Sequence, residues 1–176
     1  MRAGVPARVR VVAAVVVALG ALGTAVVVVA RIRSDESGSG HLSFAATQPA
    51  AAPFGEFSEA RVAVGSRCLR VLVASTPGQR TQGLREVTSL APYDGMLFVN
   101  PAETTARYTM AGTPTPLDVT FFSARGVPVD DARMTPCPQG TDATCPEYAS
   151  KDPYRYALER PAGSQATSGA LGACIA

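Results

Sequence analysis

The feature that most constrains the fold is an unbroken apolar run over residues 11–30, which contains no charged side chain. A helix rises about 1.5 Å per residue, so this run spans about 30 Å, the thickness of a bilayer core. The run has no polar face to meet water, which argues against a soluble helix. We therefore predict a transmembrane helix, with residues 1–33 forming an N-terminal anchor in the membrane.

Arginines flank the run on both sides, with three before it and two after it. Because basic residues are retained in the cytoplasm, this bias places the N-terminus inside and the rest of the chain outside. We expect a single-pass protein of the cell membrane with an extracytoplasmic C-terminal domain. The alternative is a cleaved signal peptide, with small-residue sites ending at Ala25 or Ala30, which would leave a secreted protein.

The composition separates the anchor from the rest of the chain. Charged residues make up 17% of the sequence, against about a quarter in average soluble proteins, which argues against a disordered tail. The net charge of +2 divides unevenly, because residues 1–33 carry five arginines and no acid, which leaves residues 34–176 at −3. We therefore expect the membrane as a partner of residues 11–30 and no nucleic-acid partner for the domain.

Residues 34–60 are rich in Ser, Gly, Ala and Pro and keep no regular period, which predicts a flexible linker. Thr76, Pro77 and Gln79 form a capping-box pattern that predicts one helix reaching about residue 90. Short Val-rich alternating runs predict strands over residues 61–64, 68–74, 95–99, 107–110, 117–124, 127–134, 154–160 and 171–175. We therefore expect residues 61–176 to form one mainly β domain, a compact β-sandwich or barrel-like sheet with one short helix.

The four cysteines predict disulfides, because an even count in an exported domain is typical of an oxidising compartment. Cys137 and Cys145 bracket a short loop rich in Pro, Gly and Thr and form the strongest candidate pair. Cys68 and Cys174 would then join an early strand to the last strand. The spacing does not match a zinc site, and the single histidine, His41, lies in the linker, so we expect no metal.

Several short motifs follow one another in a fixed order, namely Gln82-Gly83-Leu84, Gly95-Met96-Leu97-Phe98-Val99, Thr113-x-x-Pro116-Leu117-Asp118, Cys145-Pro146-x-Tyr148 and Tyr156-Ala157-Leu158-Glu159. As a set, from about residue 67 to the C-terminus, they resemble the bacterial and archaeal domain-of-unknown-function family 192. The resemblance implies a β-sandwich-like fold with a short helix, and a protein that is exported or tethered to a membrane. It implies no agreed biochemical activity. The sequence departs from the family pattern at Thr109, Ala111 and Gly112, where the family has Trp, Lys and Asn.

Asp118 is the most distinctive polar residue, because it lies between two apolar residues of a predicted strand. Such an acid must be solvated, paired or hydrogen-bonded. We expect it to accept backbone N–H groups at the strand entry, with ligand binding or acid–base chemistry as the alternative. Glu159 is expected at a strand end, exposed or in a salt bridge. The candidate ligand-binding residues are Tyr108, Met110, Thr113, Pro116 and Asp118.

The domain contains no histidine, no Gly-x-Ser-x-Gly motif and no phosphate-binding glycine motif. Histidine-based triads and most histidine-ligated metal chemistry are therefore excluded. The first interpretation is an extracytoplasmic binding or interaction module of the cell envelope, which takes a small ligand or an envelope protein without a cofactor. The second is a carboxylate-dependent hydrolase-type enzyme that uses Asp118. The third is a structural accessory of an envelope complex.

Overall fold

The computed structural model of the protein describes Leu42, residues 48–164 and residues 168–174. The predicted anchor, and the predicted linker up to residue 47 apart from Leu42, lie outside these residues. Within them, no helix combines the length and the apolar character that a membrane crossing requires.

The described residues form one helix, α1, at Pro77–Gln82, together with ten strands. In chain order, the strands are β1 (Gln48–Pro49), β2 (Ser58–Val64), β3 (Arg67–Ala74), β4 (Gly95–Thr104), β5 (Tyr108–Thr109), β6 (Leu117–Phe122), β7 (Pro128–Met134), β8 (Glu147–Tyr148), β9 (Tyr154–Pro161) and β10 (Leu171–Ala173).

Eight strands form one mixed sheet in the order β1-β2-β3-β4-β9-β6-β7, with β10 paired to β2. Only β3 and β4 run parallel, because α1 lies in the crossover that connects them. The strands β5 and β8 form a second, small sheet. The mainly β fold with one short helix is confirmed. The barrel-like alternative is wrong, because the sheet stays open, and in the described residues β7 pairs with β6 only.

The alternation of side chains along the strands builds an apolar cluster on each face of the main sheet. On one face, Met96 and Phe121 pack with Leu84 and Leu90 from the segment that follows α1. We call this side the Met96 face. On the opposite face, the strands pack around a second cluster that contains Leu158.

The helix α1 begins as predicted and ends early. The Thr76 hydroxyl accepts from Gln79 N at 3.2 Å, and Gln79 Oε1 accepts from Thr76 N at 3.0 Å, which completes the capping box. The helix ends at Gln82 rather than near residue 90, because Gly83 adopts a φ of 50° and its N–H donates to the carbonyl oxygen of Gln79. A side chain at Gly83 would also stand 3.4 Å from the ring of Phe98.

The second half of the predicted linker belongs to the sheet in the structure, where it forms β1 and the start of β2. Phe54 and Phe57 are buried in the cluster on the Met96 face. Glu59 is also buried, and its carboxylate accepts hydrogen bonds from Arg70 Nη2 at 2.7 Å and from the Tyr93 hydroxyl at 2.6 Å. Two buried phenylalanines and one partly buried ion pair therefore order a segment whose composition is that of a linker.

Candidate functional site

The five predicted ligand-binding residues do not lie on one surface. Tyr108, Met110 and Thr113 line a pocket of about 530 Å³ that opens on the Met96 face. Pro116 and Asp118 do not line this pocket. The structure therefore brings together the three residues around β5 and separates them from the two at the start of β6.

Asp118 points away from the pocket because successive strand residues face opposite sides of a sheet. Val119 belongs to the cluster on the Met96 face, whereas Asp118 stands opposite Arg133 on β7. Arg133 Nε and Nη2 donate to the two carboxylate oxygens at 2.8 and 3.1 Å, and Gly163 N donates at 3.1 Å. The hydrogen bonds from Arg133 lower the pKa of Asp118. This ionised, paired carboxylate is not suited to act as a general acid at neutral pH.

Glu159 on β9 lies in the lining of the pocket. It stands opposite Met96 of β4 and opposite Val119 of β6, so its side chain is on the Met96 face. Only 4% of the residue is exposed, and within the described chain no group hydrogen-bonds with its carboxyl. Burial raises the pKa of Glu159 from its ordinary value of 4.5 to about 8. The pocket, which we call the Glu159 pocket, therefore contains a carboxyl group that is mostly protonated at neutral pH.

Two tyrosines stand beside this carboxyl group. Tyr154 is buried on β9, and its hydroxyl donates to the carbonyl oxygen of Ala106 at 2.7 Å. Tyr108 packs edge-on against Phe98, with ring centroids 5.2 Å apart, and its centroid lies 6.2 Å from that of Tyr154. Burial raises the pKa of both phenols, and the nearby charge of Glu159 adds to the effect. The tyrosines therefore stay neutral hydrogen-bonding groups through the physiological pH range.

The rim of the Glu159 pocket carries two ion pairs. Arg85 Nη2 lies 2.7 Å from Asp142 Oδ1, and the hydroxyl of Thr109 donates to the same oxygen at 2.6 Å. Arg107 pairs with Glu147, which joins the residue before β5 to β8. Because each pair is internally neutral, these four charged side chains add no net charge to the rim.

Arg80 of α1 is the remaining charged residue in the lining of the pocket. Its Nη1 donates to the carbonyl oxygens of Ser75 and Val99. Within the described residues it forms no ion pair. Backbone groups therefore hold the guanidinium in place without neutralising its charge, and the pocket carries one net positive charge while Glu159 is protonated.

Both predicted cysteine pairs are at disulfide distance in the structure. Cys68 of β3 pairs with Cys174, just after β10, and Cys137 pairs with Cys145. The short loop between the second pair carries Asp142, so this disulfide constrains the rim residue that holds Arg85. The described chain contains no group of three or more His, Cys, Asp or Glu side chains placed to hold a metal ion.

Sequence reasoning missed Glu159 and Arg80 as pocket residues. Glu159 was expected to be exposed or in a salt bridge, whereas it is buried and has no hydrogen-bond partner in the described chain. No local sequence signal identifies it, because its burial follows from the position of β9 between β4 and β6 in the main sheet.

The fold is similar to two crystal structures. A protein of unknown function from Novosphingobium aromaticivorans has a TM-score of 0.58 and 20% identity, over 72% of this chain and 92% of that chain. A Sinorhizobium meliloti protein, which carries the provisional label of transcription regulator, has a TM-score of 0.54 and 25% identity, over 74% of this chain and 95% of that chain. No curated protein matches the chain.

The family comparison covers most of the described domain and leaves out β1, the first two residues of β2 and the last residue of β10. The model of the family described as "Uncharacterized ACR", domain-of-unknown-function family 192, matches residues 60–172, well over half of the chain. The match includes β3, α1, β5 and β9, and with them Arg80, Tyr108 and Glu159. The chain therefore belongs to domain-of-unknown-function family 192.

Proposed function

We propose that this domain is a binding module for a small polar molecule, which occupies the Glu159 pocket. The observation that carries the proposal is the buried carboxyl group of Glu159, which has no hydrogen-bond partner in the described chain although it lines the cavity. The carboxyl oxygens are not among the fully buried atoms without a partner, so they reach the cavity, where a ligand can hydrogen-bond to them. The cavity of about 530 Å³ lies in the size range of small-molecule sites.

The lining of the pocket supports binding better than hydrolysis. Ligand sites combine apolar walls with a few polar groups, and here Leu84, Phe98 and Met110 stand beside Glu159 and Arg80. A hydrolase built on Asp118 has less support, because Asp118 lies outside the Glu159 pocket, and in the separate cavity that it lines, Arg133 pairs with it and lowers its pKa. A purely structural accessory would present an apolar docking patch. Among the described large hydrophobic residues, Val127 alone is exposed.

We also propose that the domain works outside the cytoplasm, tethered to the cell membrane by residues 11–30. Two cysteine pairs at disulfide distance support this location, because disulfides persist in oxidising compartments. The provisional regulator label of the Sinorhizobium meliloti protein does not extend to DNA binding by this chain, since residues 34–176 carry a net charge of −3.

Ligand-observed NMR with a library of small polar fragments tests the proposal on full-length protein in detergent. Thr109 lies in the pocket lining, and Thr109→Trp would place an indole in the cavity. Thr135 is exposed and lies outside the lining, so Thr135→Trp is the matched control. We expect fragments that bind the wild type and the control to be lost with Thr109→Trp. If no fragment binds, or if Thr109→Trp retains them all, the proposal is wrong.

A further inference from the structure

The Glu159 pocket has a charge asymmetry that narrows the kind of ligand it can take. Its two carboxylates at the rim are already paired, Asp142 with Arg85 and Glu147 with Arg107. Of the arginines and carboxyl groups in the lining, the guanidinium of Arg80 and the carboxyl of Glu159 are outside these two ion pairs. One is a permanent cation, and the other is an acid held in an apolar setting.

We propose that the Glu159 pocket selects a small organic anion, whose oxyanion pairs with Arg80 while a second oxygen of the ligand accepts a hydrogen bond from Glu159. This inference rests on the proposed function and adds the charge and the hydrogen-bonding pattern of the ligand. An organic cation should bind more weakly than an anion. The positive charge of Arg80 would repel it, and both carboxylates at the rim are already paired with arginines.

Backbone contacts prepare Arg80 for this role. The carbonyl oxygens of Ser75 and Val99 both accept from Nη1, which fixes the side chain between the start of α1 and β4. A guanidinium has five N–H donors, so this arrangement leaves other donors for a ligand. Preorganised, charge-assisted hydrogen bonds of this kind are about twice as strong as neutral ones.

The surroundings of Glu159 keep its carboxyl group protonated, and a protonated carboxyl group can donate a hydrogen bond. Its neighbours across β4 and β6 are the apolar side chains Met96 and Val119. The titratable groups that face it in the pocket are Tyr108 from β5 and Tyr154 from its own strand, both with a raised pKa. Because the pKa of Glu159 is about 8, the carboxyl is a donor at pH 6 and largely an anion at pH 9. An anionic ligand should therefore bind more weakly as the pH rises between these values.

Three probes of the same shape test the charge of the ligand, namely para-acetylbenzoate, para-acetylbenzamide and para-acetylbenzylammonium. Each presents an aromatic ring for the wall formed by Phe98 and Tyr108 and an acetyl carbonyl that can only accept a hydrogen bond from Glu159. Binding is followed through the methyl signal of Met110 in full-length protein with labelled methionine, assigned with Met110→Leu. At pH 6 we expect the benzoate to bind about tenfold or more tightly than the benzamide, and the ammonium to bind most weakly.

Variants of Arg80 and Glu159 test whether these two residues cause the preference for an anion. Arg80→Gln should remove the preference for the benzoate over the benzamide, and Arg80→Lys should retain it, because lysine keeps the charge. Arg61 is exposed on β2, so Arg61→Gln makes the same change in net charge away from the pocket and should leave the preference intact. Between pH 6 and pH 9, benzoate binding to the wild type should weaken about tenfold, while binding to Glu159→Gln should stay constant.

The outcomes separate this inference from the proposed function. If all three probes leave the Met110 signal unchanged at tens of millimolar, a range typical of weak fragments, the proposed binding function and the anion selectivity are both wrong. If the probes bind but the ammonium binds as tightly as the benzoate, or if Arg80→Gln keeps the preference, the pocket is a ligand site and the anion selectivity is wrong.

Discussion

Glu159 stands directly opposite Met96 in the pairing of β9 with β4, so a carboxyl group and a thioether share one face of the main sheet below the pocket. Both residues are buried, and Met96 offers no strong hydrogen bond to the acid. This pairing places the carboxyl group in apolar surroundings, and burial there raises the pKa of Glu159. The same relationship makes the carboxyl available to a ligand.

Replacing Glu159 should change the alkaline side of the stability profile. The folded state holds the proton up to a pH of about 8, whereas the unfolded chain releases it near 4.5, so wild-type stability falls as the pH rises through this window. Glu159→Gln carries no such proton. Between pH 5 and pH 8 we expect the wild type to lose on the order of 2–4 kcal/mol more than Glu159→Gln, measured by denaturant unfolding.

The exposed residue Glu56 provides the control for this experiment, because Glu56→Gln removes a carboxylate that lies in solvent. Its profile should follow that of the wild type. Parallel profiles of Glu159→Gln and the wild type would show that Glu159 titrates normally in the folded protein.

The network around Glu59 should control the acid side of the profile. Hydrogen bonds from Arg70, and next from Tyr93, lower the pKa of Glu59 from 4.5 to about 2. Because the pKa is lowered, Glu59 stabilises the folded state at pH values above its unfolded pKa of 4.5, and this contribution is lost as the pH falls from 4.5 towards 2.

Tyr93→Phe removes the donor to Glu59 and the acceptor for Ala51 N, and we expect it to lower the free energy of unfolding by about 1–3 kcal/mol in urea unfolding at pH 7. Unchanged stability would contradict this role.

Asp118 should matter little, either to stability or to binding. Its partner Arg133 is mostly exposed, and an exposed ion pair contributes about 0–1 kcal/mol. We therefore expect Asp118→Asn to lower the unfolding free energy by less than about 1 kcal/mol and to leave pocket binding of the para-acetyl probes unchanged. A large loss of binding would restore Asp118 as a site residue.

The two cysteine pairs should contribute differently. Cys68 and Cys174 are 106 residues apart in sequence and Cys137 and Cys145 are 8 apart, so the chain-entropy model assigns about 4.7 and about 2.5 kcal/mol to them. Paired Cys→Ser replacements, compared by thermal unfolding, should follow this order. Loss of the short pair should also weaken probe binding, because it releases the loop that holds Asp142. Non-reducing peptide mapping should find both linkages in exported protein.

Local rules predicted the parts of the fold that depend on local interactions. The capping box at Thr76 and Gln79 lies within four residues, and the β2–β3 hairpin turns at Gly65, whose φ of 59° suits glycine. The pairing of Cys137 with Cys145 is also close in sequence. In each case, the residues that decide the structure are neighbours along the chain.

Apart from the pairing of Cys68 with Cys174, the features that depend on contacts between distant residues were not predicted. α1 ends at Gly83 beside Phe98, and the burial of Phe54 depends on Tyr93 across the core. The role of Glu159 depends on the position of β9 between β4 and β6, which only the sheet order determines. Asp118 was a candidate site residue because it interrupts an apolar strand. The face of the sheet to which it points, however, follows from the strand register that pairs it with Arg133.

Titration of the Glu159 carboxyl group itself shows directly whether the pocket contains a protonated acid at neutral pH. Full-length protein labelled with ¹³C at the glutamate side-chain carboxyls is followed by NMR from about pH 4 to pH 9, and Glu159→Gln identifies the signal. We expect a midpoint near pH 8, because the carboxyl group lies in the pocket, 4% of the residue is exposed, and no group of the described residues hydrogen-bonds with it. A midpoint near the ordinary value of 4.5 would show that Glu159 is a solvated or paired carboxylate and that the pocket contains no protonated acid at neutral pH.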